Sequence, residues 1–192
     1  MVERVGRVVI RPAWREHAAA AGEVVVGLDP GMAFGTGQHE TTRMCLLALQ
    51  DRLRPGDRVL DLGTGSGILA VAAVALGAGA CLALDVEPQA VAAATANAAL
   101  NGVDGRVEVR EAQLESLGDA AFDLILANLN AATLTALAAG LHRSTRPGGS
   151  VVAGGIIAER EASCREALAA AGLRLVEGRA DGDWRTLVLT RD

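Results

Sequence analysis

Val59-Leu60-Asp61-Leu62-Gly63-Thr64-Gly65-Ser66-Gly67 reads as a buried strand that ends in a carboxylate and runs into a glycine turn. An apolar helix opens at Ile68. Three glycines at alternate positions leave no side chain between the turn and a bound molecule, and they permit backbone angles that other residues resist. Backbone N–H groups at the start of the helix would face the same molecule. Strand, glycine turn and helix in this order form a cradle for a nucleotide-like cofactor.

Outward from this stretch, the chain alternates strand and helix. Strands are expected at 58–62, 80–84, 106–110, 122–127 and 150–153, and helices at 68–76, 88–100, 131–142 and 159–171. Pro88 sits in a first helical turn, where proline is tolerated. Residues 146–149, Arg-Pro-Gly-Gly, read as a turn. Two last strands, 173–177 and 185–190, are joined by Asp181-Gly182-Asp183, a hairpin signal. Such alternation with apolar strands predicts a mostly parallel sheet covered by helices on both faces. The terminal hairpin adds an antiparallel strand. This seven-stranded α/β plan resembles the class I methyltransferase variant of the Rossmann-like fold. Upstream, 40–53 is helical and 29–39 is a glycine-rich loop. Residues 1–28 carry two β-rich runs, at 8–10 and 24–26, with a short helix expected over 14–22. They read as an N-terminal arm or hairpin ahead of a catalytic domain at 29–192.

Composition narrows the chemistry. With 51% hydrophobic and 21% charged residues in 192, the chain is globular, with one sizeable core. The net charge of −5 lacks the basic footprint of a nucleic-acid binder. All 18 basic residues are arginines, so neither a P-loop lysine nor a Schiff-base lysine exists. Tyrosine is absent. Cys45, Cys81 and Cys164 form no Cys-x-x-Cys pair, and His17, His39 and His142 are scattered, so neither a disulfide framework nor a metal site is expected. The apolar run 68–84 falls short of a membrane span and is broken by Gly77 and Gly79. A cytoplasmic protein with no membrane partner, monomeric or weakly oligomeric, is the expectation.

Which cofactor follows from spacing and charge. The dinucleotide fingerprint is Gly-x-Gly-x-x-Gly, and Gly63, Gly65 and Gly67 are one residue short of it. A carboxylate at Asp61 repels a pyrophosphate but suits a cationic ligand without phosphate, such as S-adenosylmethionine. Asp85, at the tip of the second strand, can accept hydrogen bonds from both ribose hydroxyls, as it would in an NAD site too. Asn128 ends the fourth strand next to the first, so its side chain is expected in the crevice. Either Asn128 or Asn130 could instead cap the helix from Ala131. The Asn-Pro-Pro-Tyr motif of methyltransferases acting on adenine, cytosine or glutamine amides is absent at Asn128-Leu129-Asn130-Ala131.

Leu28-Asp29-Pro30-Gly31-Met32-Ala33-Phe34-Gly35-Thr36-Gly37-Gln38-His39-Glu40-Thr41-Thr42 resembles the hallmark loop of the ribosomal protein L11 methyltransferases. Ile10-Arg11-Pro12-Ala13-Trp14 and Gly182-Asp183-Trp184 carry the same resemblance, which spans nearly the whole chain. It implies methyl transfer from S-adenosylmethionine to protein amino groups, on lysine side chains or an N-terminal amine. It also implies Thr42, Gly63, Asp85 and Asn128 as cofactor contacts; Asp61 and Gly65 join them from the turn itself. Asn128 and His39 are the candidates for handling the acceptor amine, and Trp14 and Trp184 for lining a substrate groove. Family members carry a separate N-terminal recognition domain, and the 28 residues before the loop are too few for one. Other acceptors therefore stay open: the β subunit of electron-transfer flavoprotein, a small-molecule amine, or a cofactor-binding module completed by a partner chain.

Overall fold

The computed structural model describes residues 2–29, 39–118 and 121–192. Residues 30–38, the centre of the glycine-rich loop, lie outside these. The chain runs β1 (Glu3–Val5), β2 (Val8–Pro12), β3 (Val24–Leu28), α1 (Glu40–Arg52), β4 (Arg58–Leu62), α2 (Ile68–Ala75), β5 (Ala80–Asp85), α3 (Pro88–Leu100), β6 (Val107–Glu111), β7 (Phe122–Asn128), α4 (Ala131–Ala136), α5 (Ala138–Ser144), β8 (Thr145–Ile157), α6 (Glu161–Ala170), β9 (Leu173–Asp181) and β10 (Trp184–Arg191). The main sheet has the order β6-β5-β4-β7-β8-β10-β9. Strand β10 alone runs antiparallel, to both β8 and β9. That is the expected plan, and it puts the β4/β7 junction, where the strand order reverses, at the centre.

Strand pleating sorts the apolar residues into two cores. On β4, Val59 joins the cluster beneath α1, α2 and the N-terminal strands, whereas Leu60 and Leu62 join the cluster beneath α5 and α6. Parallel strands buried on both faces read as nearly continuous apolar runs for this reason.

Four local expectations are corrected. Residues 14–22 form no helix. Strands β2 and β3 pair in parallel, and the N-terminal hairpin is β1 with β2, turning at Gly6. The arm packs inward: Val5, Val8, Ile10, Val26 and Leu28 are all part of a buried core. Gln50 on α1 braces its turn, accepting from the Arg7 N–H at 2.7 Å and donating to the Val5 carbonyl at 3.0 Å. Residues 146–149 make a bulge inside β8 instead of a turn before it: Phe122 pairs with Thr145 and Leu124 with Ser150, so four residues face Asp123. The helix expected over 131–142 is two helices, broken at Leu137.

Candidate functional site

The glycine turn leaves β4 in the left-handed region three times, with φ of 71° at Gly63, 54° at Gly65 and 79° at Gly67. At Gly67 no larger residue fits, because a Cβ would stand 2.9 Å from the Cα of Ala94 on α3. The Gly63 and Thr64 N–H groups both donate to the Leu84 carbonyl at 2.9 Å, which ties the turn to the tip of β5. Asp85 completes the tie: its Oδ2 accepts from the Gly65 N–H at 2.9 Å and its Oδ1 from the Glu87 N–H at 3.1 Å.

Two cavities open above this turn and meet at Gly63 and Leu129. The first, about 410 Å³, has the Asp85 carboxylate on one side, with apolar walls from Leu84, Val86, Leu114 and Leu137. The second, about 370 Å³, is bounded by His39, Thr42, Gly65, Asn128 and Trp184. Neither is lined by an arginine among the described residues. Leu129 lies over Gly63 so closely that a Cβ there would stand 2.4 Å from its Cδ2. Nothing about Leu129 in the sequence marks it as the divider.

Thr42, Gly63, Gly65, Asp85 and Asn128 are thus brought to one cleft. The Asn128 amide donates to the Thr42 hydroxyl at 3.4 Å, joining the end of β7 to the start of α1. Asn130, not Asn128, caps α4: its Oδ1 accepts from the Thr133 N–H at 2.9 Å. Glycine at 155 is demanded here by φ of 78° and by the Leu129 carbonyl, which a Cβ would approach to 2.3 Å. The pair Gly154-Gly155 at a strand end was the signal for this close approach.

Asp61 is placed differently from expectation. Strand alternation turns it away from the cleft towards α2, and it is 1% exposed. Its Oδ2 accepts from the Thr64 hydroxyl at 2.7 Å and the Ala70 N–H at 3.0 Å, so it braces the turn from below. Burial pushes its carboxyl up from 3.8 to about 6, against the pull of those two donors. A carboxyl raised in the folded state favours folding while protonated. Its contribution is complete below pH 3.8 and is lost as pH rises through about 6. Two units correspond to about 3 kcal/mol. Asp61→Asn keeps an oxygen for both donors and removes the charge. Urea melts should show the variant gaining on the wild type as pH rises from 4 to 7, by up to about 3 kcal/mol. Parallel pH profiles for the two proteins would contradict this account.

His39 is the cap of α1. Its Nδ1 accepts from the Thr41 N–H at 3.3 Å and lies 2.9 Å from the Thr41 hydroxyl oxygen. With Nδ1 accepting, a neutral ring carries its proton on Nε2, which leaves no ring nitrogen to take a proton from an amine. The ring also meets Trp184 edge-on, centroids 4.9 Å apart. Trp184 therefore lines the cleft, whereas Trp14 is 74% exposed and is not among the described residues that line it.

Sequence reading missed the side chains that hold the cleft's back wall. Asn97, buried in α3, donates to the Ser66 carbonyl at 2.8 Å and accepts from the Asp29 N–H at 3.0 Å. Asn101 satisfies both backbone groups of Gly27. Two asparagines four apart in an otherwise alanine-rich helix were the available clue. Thiol chemistry is excluded at Cys45 and Cys81: both are buried, and burial pushes the Cys45 thiol up to about 12 and Cys81 well above its ordinary range. Among the described residues no group of His, Cys, Asp or Glu could hold a metal ion, and no helix is long and apolar enough to cross a membrane.

The family model described as Ribosomal protein L11 methyltransferase matches residues 3–192. A ribosomal protein L11 methyltransferase of Geobacter sulfurreducens is 48% identical over 186 residues, covering 96% of this chain and 61% of the relative. One of Desulfosudis oleivorans is 42% identical over 194 residues, covering 99% and 64%. The chain thus spans about three fifths of the length of these curated relatives. The solved structure of a ribosomal protein L11 methylase from Lactobacillus delbrueckii subsp. bulgaricus superposes with a TM-score of 0.93 at 33% identity, covering 100% of this chain and 98% of that one.

Proposed function

The chain belongs to the ribosomal protein L11 methyltransferase family, and we propose from that membership that it transfers a methyl group from S-adenosylmethionine to amino groups of ribosomal protein L11. The observation that carries the reading is the pair of joined cavities, one holding a carboxylate at Asp85, the other a Thr42–Asn128 pair, with no arginine lining either among the described residues. A dinucleotide needs positive charge or further N–H donors for its pyrophosphate; these walls suit a cationic ligand without phosphate. The discrimination first assigned to Asp61 thus passes to the lining of the cleft.

In this reading, Asp85 accepts from the ribose hydroxyls, since a carboxylate bonded to two backbone N–H groups retains lone pairs for two more donors. Gly63 and Gly65 let the cofactor lie against bare backbone. Thr42 and Asn128 hold the methionine end, and Asp61 keeps the turn in shape from beneath. Bound S-adenosylmethionine supplies a sulfonium methyl whose leaving group departs as a neutral thioether. The protein's work is to seat a neutral amine in line with that methyl and to exclude water. The Asn128 amide oxygen can accept from the incoming amine and orient its lone pair. Trp184 and His39 wall off the outer side.

Transfer of labelled methyl from S-adenosylmethionine to purified ribosomal protein L11 tests the reading, with parallel transfer to total cell protein. Label on lysine or the N-terminal amine of the ribosomal protein is the expected result. Label only on another protein overturns the acceptor, and label only on small amines overturns protein methylation.

A further inference from the structure

A third cavity, about 600 Å³, lies outside the transfer cleft between α4, α6 and the end of β8. It shares Asn130, Gly155 and Trp184 with the second cavity, so the two adjoin at these residues. Its walls are mostly apolar: Ala131 and Ala132 on α4, and Ile157, which pairs with Trp184 across β8 and β10. Ile157, 40% exposed, presents a large apolar side chain in this groove. Arg160 is the one ionisable residue among the described residues that line it. Among the described residues, Arg160 forms no ion pair, whereas Arg179 and Arg185 are each paired to carboxylates.

We propose that this groove seats an extended segment of the acceptor protein next to the methylated amine, with an acidic side chain of that segment held by Arg160. The proposal rests on the protein-methylation reading above. An amine delivered into the second cavity needs its chain to continue outward, and this groove adjoins that cavity at Asn130, Gly155 and Trp184. The apolar walls suit the methylene stem of an amine-bearing side chain and its neighbours. A guanidinium at the far side presents a planar fork matched to one carboxylate. In a protein of net charge −5, that fork selects locally and does not act through a general positive field.

The test is steady-state methyl transfer at varied acceptor concentration, first to purified ribosomal protein L11 and then to total cell protein. Arg160→Glu reverses the charge, Arg160→Lys preserves it, and Ala132→Trp fills the groove from an exposed position. Arg160→Glu and Ala132→Trp should each raise KM for the acceptor about tenfold or more, with kcat within about twofold, because binding remote from the reacting atoms is lost. Arg160→Lys keeps the charge and loses the planar fork, so its KM should fall between those of the wild type and Arg160→Glu, and calorimetric affinity for S-adenosylmethionine should not move in any of the three. Unchanged KM in both Arg160→Glu and Ala132→Trp, with cofactor affinity intact, overturns the groove assignment alone. A KM effect that disappears on nuclease treatment gives Arg160 to an RNA phosphate and also overturns it. If the wild type labels a different protein, the same comparison is made on that protein and decides in the same way. If it binds the cofactor and labels no protein, the methylation reading falls, and the groove assignment with it.

Discussion

Asp85→Ala is expected to bind S-adenosylmethionine about a hundredfold more weakly than the wild type, or worse. Two hydrogen bonds from ribose hydroxyls to an ionised carboxylate are each worth about 1.5–3 kcal/mol, so losing both costs at least about 3 kcal/mol, or two decades in affinity. A second loss adds to this. Without the carboxylate, the Gly65 N–H at 2.9 Å and the Glu87 N–H at 3.1 Å lose the acceptor that fixes the glycine turn against β5. Asp85→Asn keeps one acceptor oxygen and loses the charge, so it should fall between the two. Isothermal titration of the three proteins measures this directly. An affinity within about threefold of wild type for Asp85→Ala would sink the assignment of the ribose hydroxyls to Asp85, and a double variant with Glu115→Ala, the other carboxylate lining that cavity, tells whether the neighbour takes its place.

Gly155→Ala should be the most damaging glycine-to-alanine change among the described residues. Its φ of 78° costs a residue with a Cβ about 1–2 kcal/mol. The added carbon would also stand 2.3 Å from the Leu129 carbonyl oxygen and 2.9 Å from its carbon, both backbone atoms that no rotamer change can clear. Forcing the strands apart costs about 1–3 kcal/mol more. It also works against the bond from the Leu129 N–H to the Gly154 carbonyl, 3.1 Å, which joins β7 to β8 at the cleft. About 3 kcal/mol in a domain of this size lowers the melting temperature by roughly 6–12 °C. Gly148→Ala is the control: its φ is 76°, but a Cβ there meets nothing within 4 Å. Calorimetric melts should show only the conformational cost in Gly148→Ala. Equal losses in the two variants would mean that the approach of Leu129 is not what demands glycine. Since a Cβ at 155 would also stand 3.3 Å from Asn128 Oδ1 on the neighbouring strand, Gly155→Ala should lose cofactor affinity as well as stability.

The elements that read correctly are those whose signal is local. Apolar strands ending in Asp85 or Asn128, Pro88 at a helix start, and glycines with left-handed φ at 63, 65 and 67 each express a preference of a few consecutive residues. Two of the misreadings are misreadings of strand pairing, which the local preference of a few residues does not encode. Pro147 and Gly148 signal a turn, yet pairing of Thr145 with Phe122 on one side and Ser150 with Leu124 on the other absorbs them as a bulge. Val8 to Ile10 and Val24 to Val26 suggest a hairpin, but β1 takes the antiparallel edge of β2 and leaves β3 the parallel one. The residues 30–38 that carry the family resemblance most strongly lie outside the described structure, so the match there rests on sequence.

By itself, the sequence determined the order of strands and helices of the main sheet and the glycine turn at the end of β4, because strand periodicity and glycine turns are encoded within a few residues. As cofactor contacts, Thr42 and Asn128 came into view through the family resemblance, and the fold brings them to one cleft with Gly63, Gly65 and Asp85. Tertiary structure alone decided that Asp61 lies under the turn and not in the cleft, that Leu129 divides the cleft in two, and that Asn97 ties Asp29 to Ser66. It also set Arg160, without an ion pair among the described residues, in the groove next to the transfer cavity. These four depend on which face of a strand or helix meets which neighbour. A carboxylate or an amide carries no local mark of that choice; only the packing of the two cores against the sheet makes it.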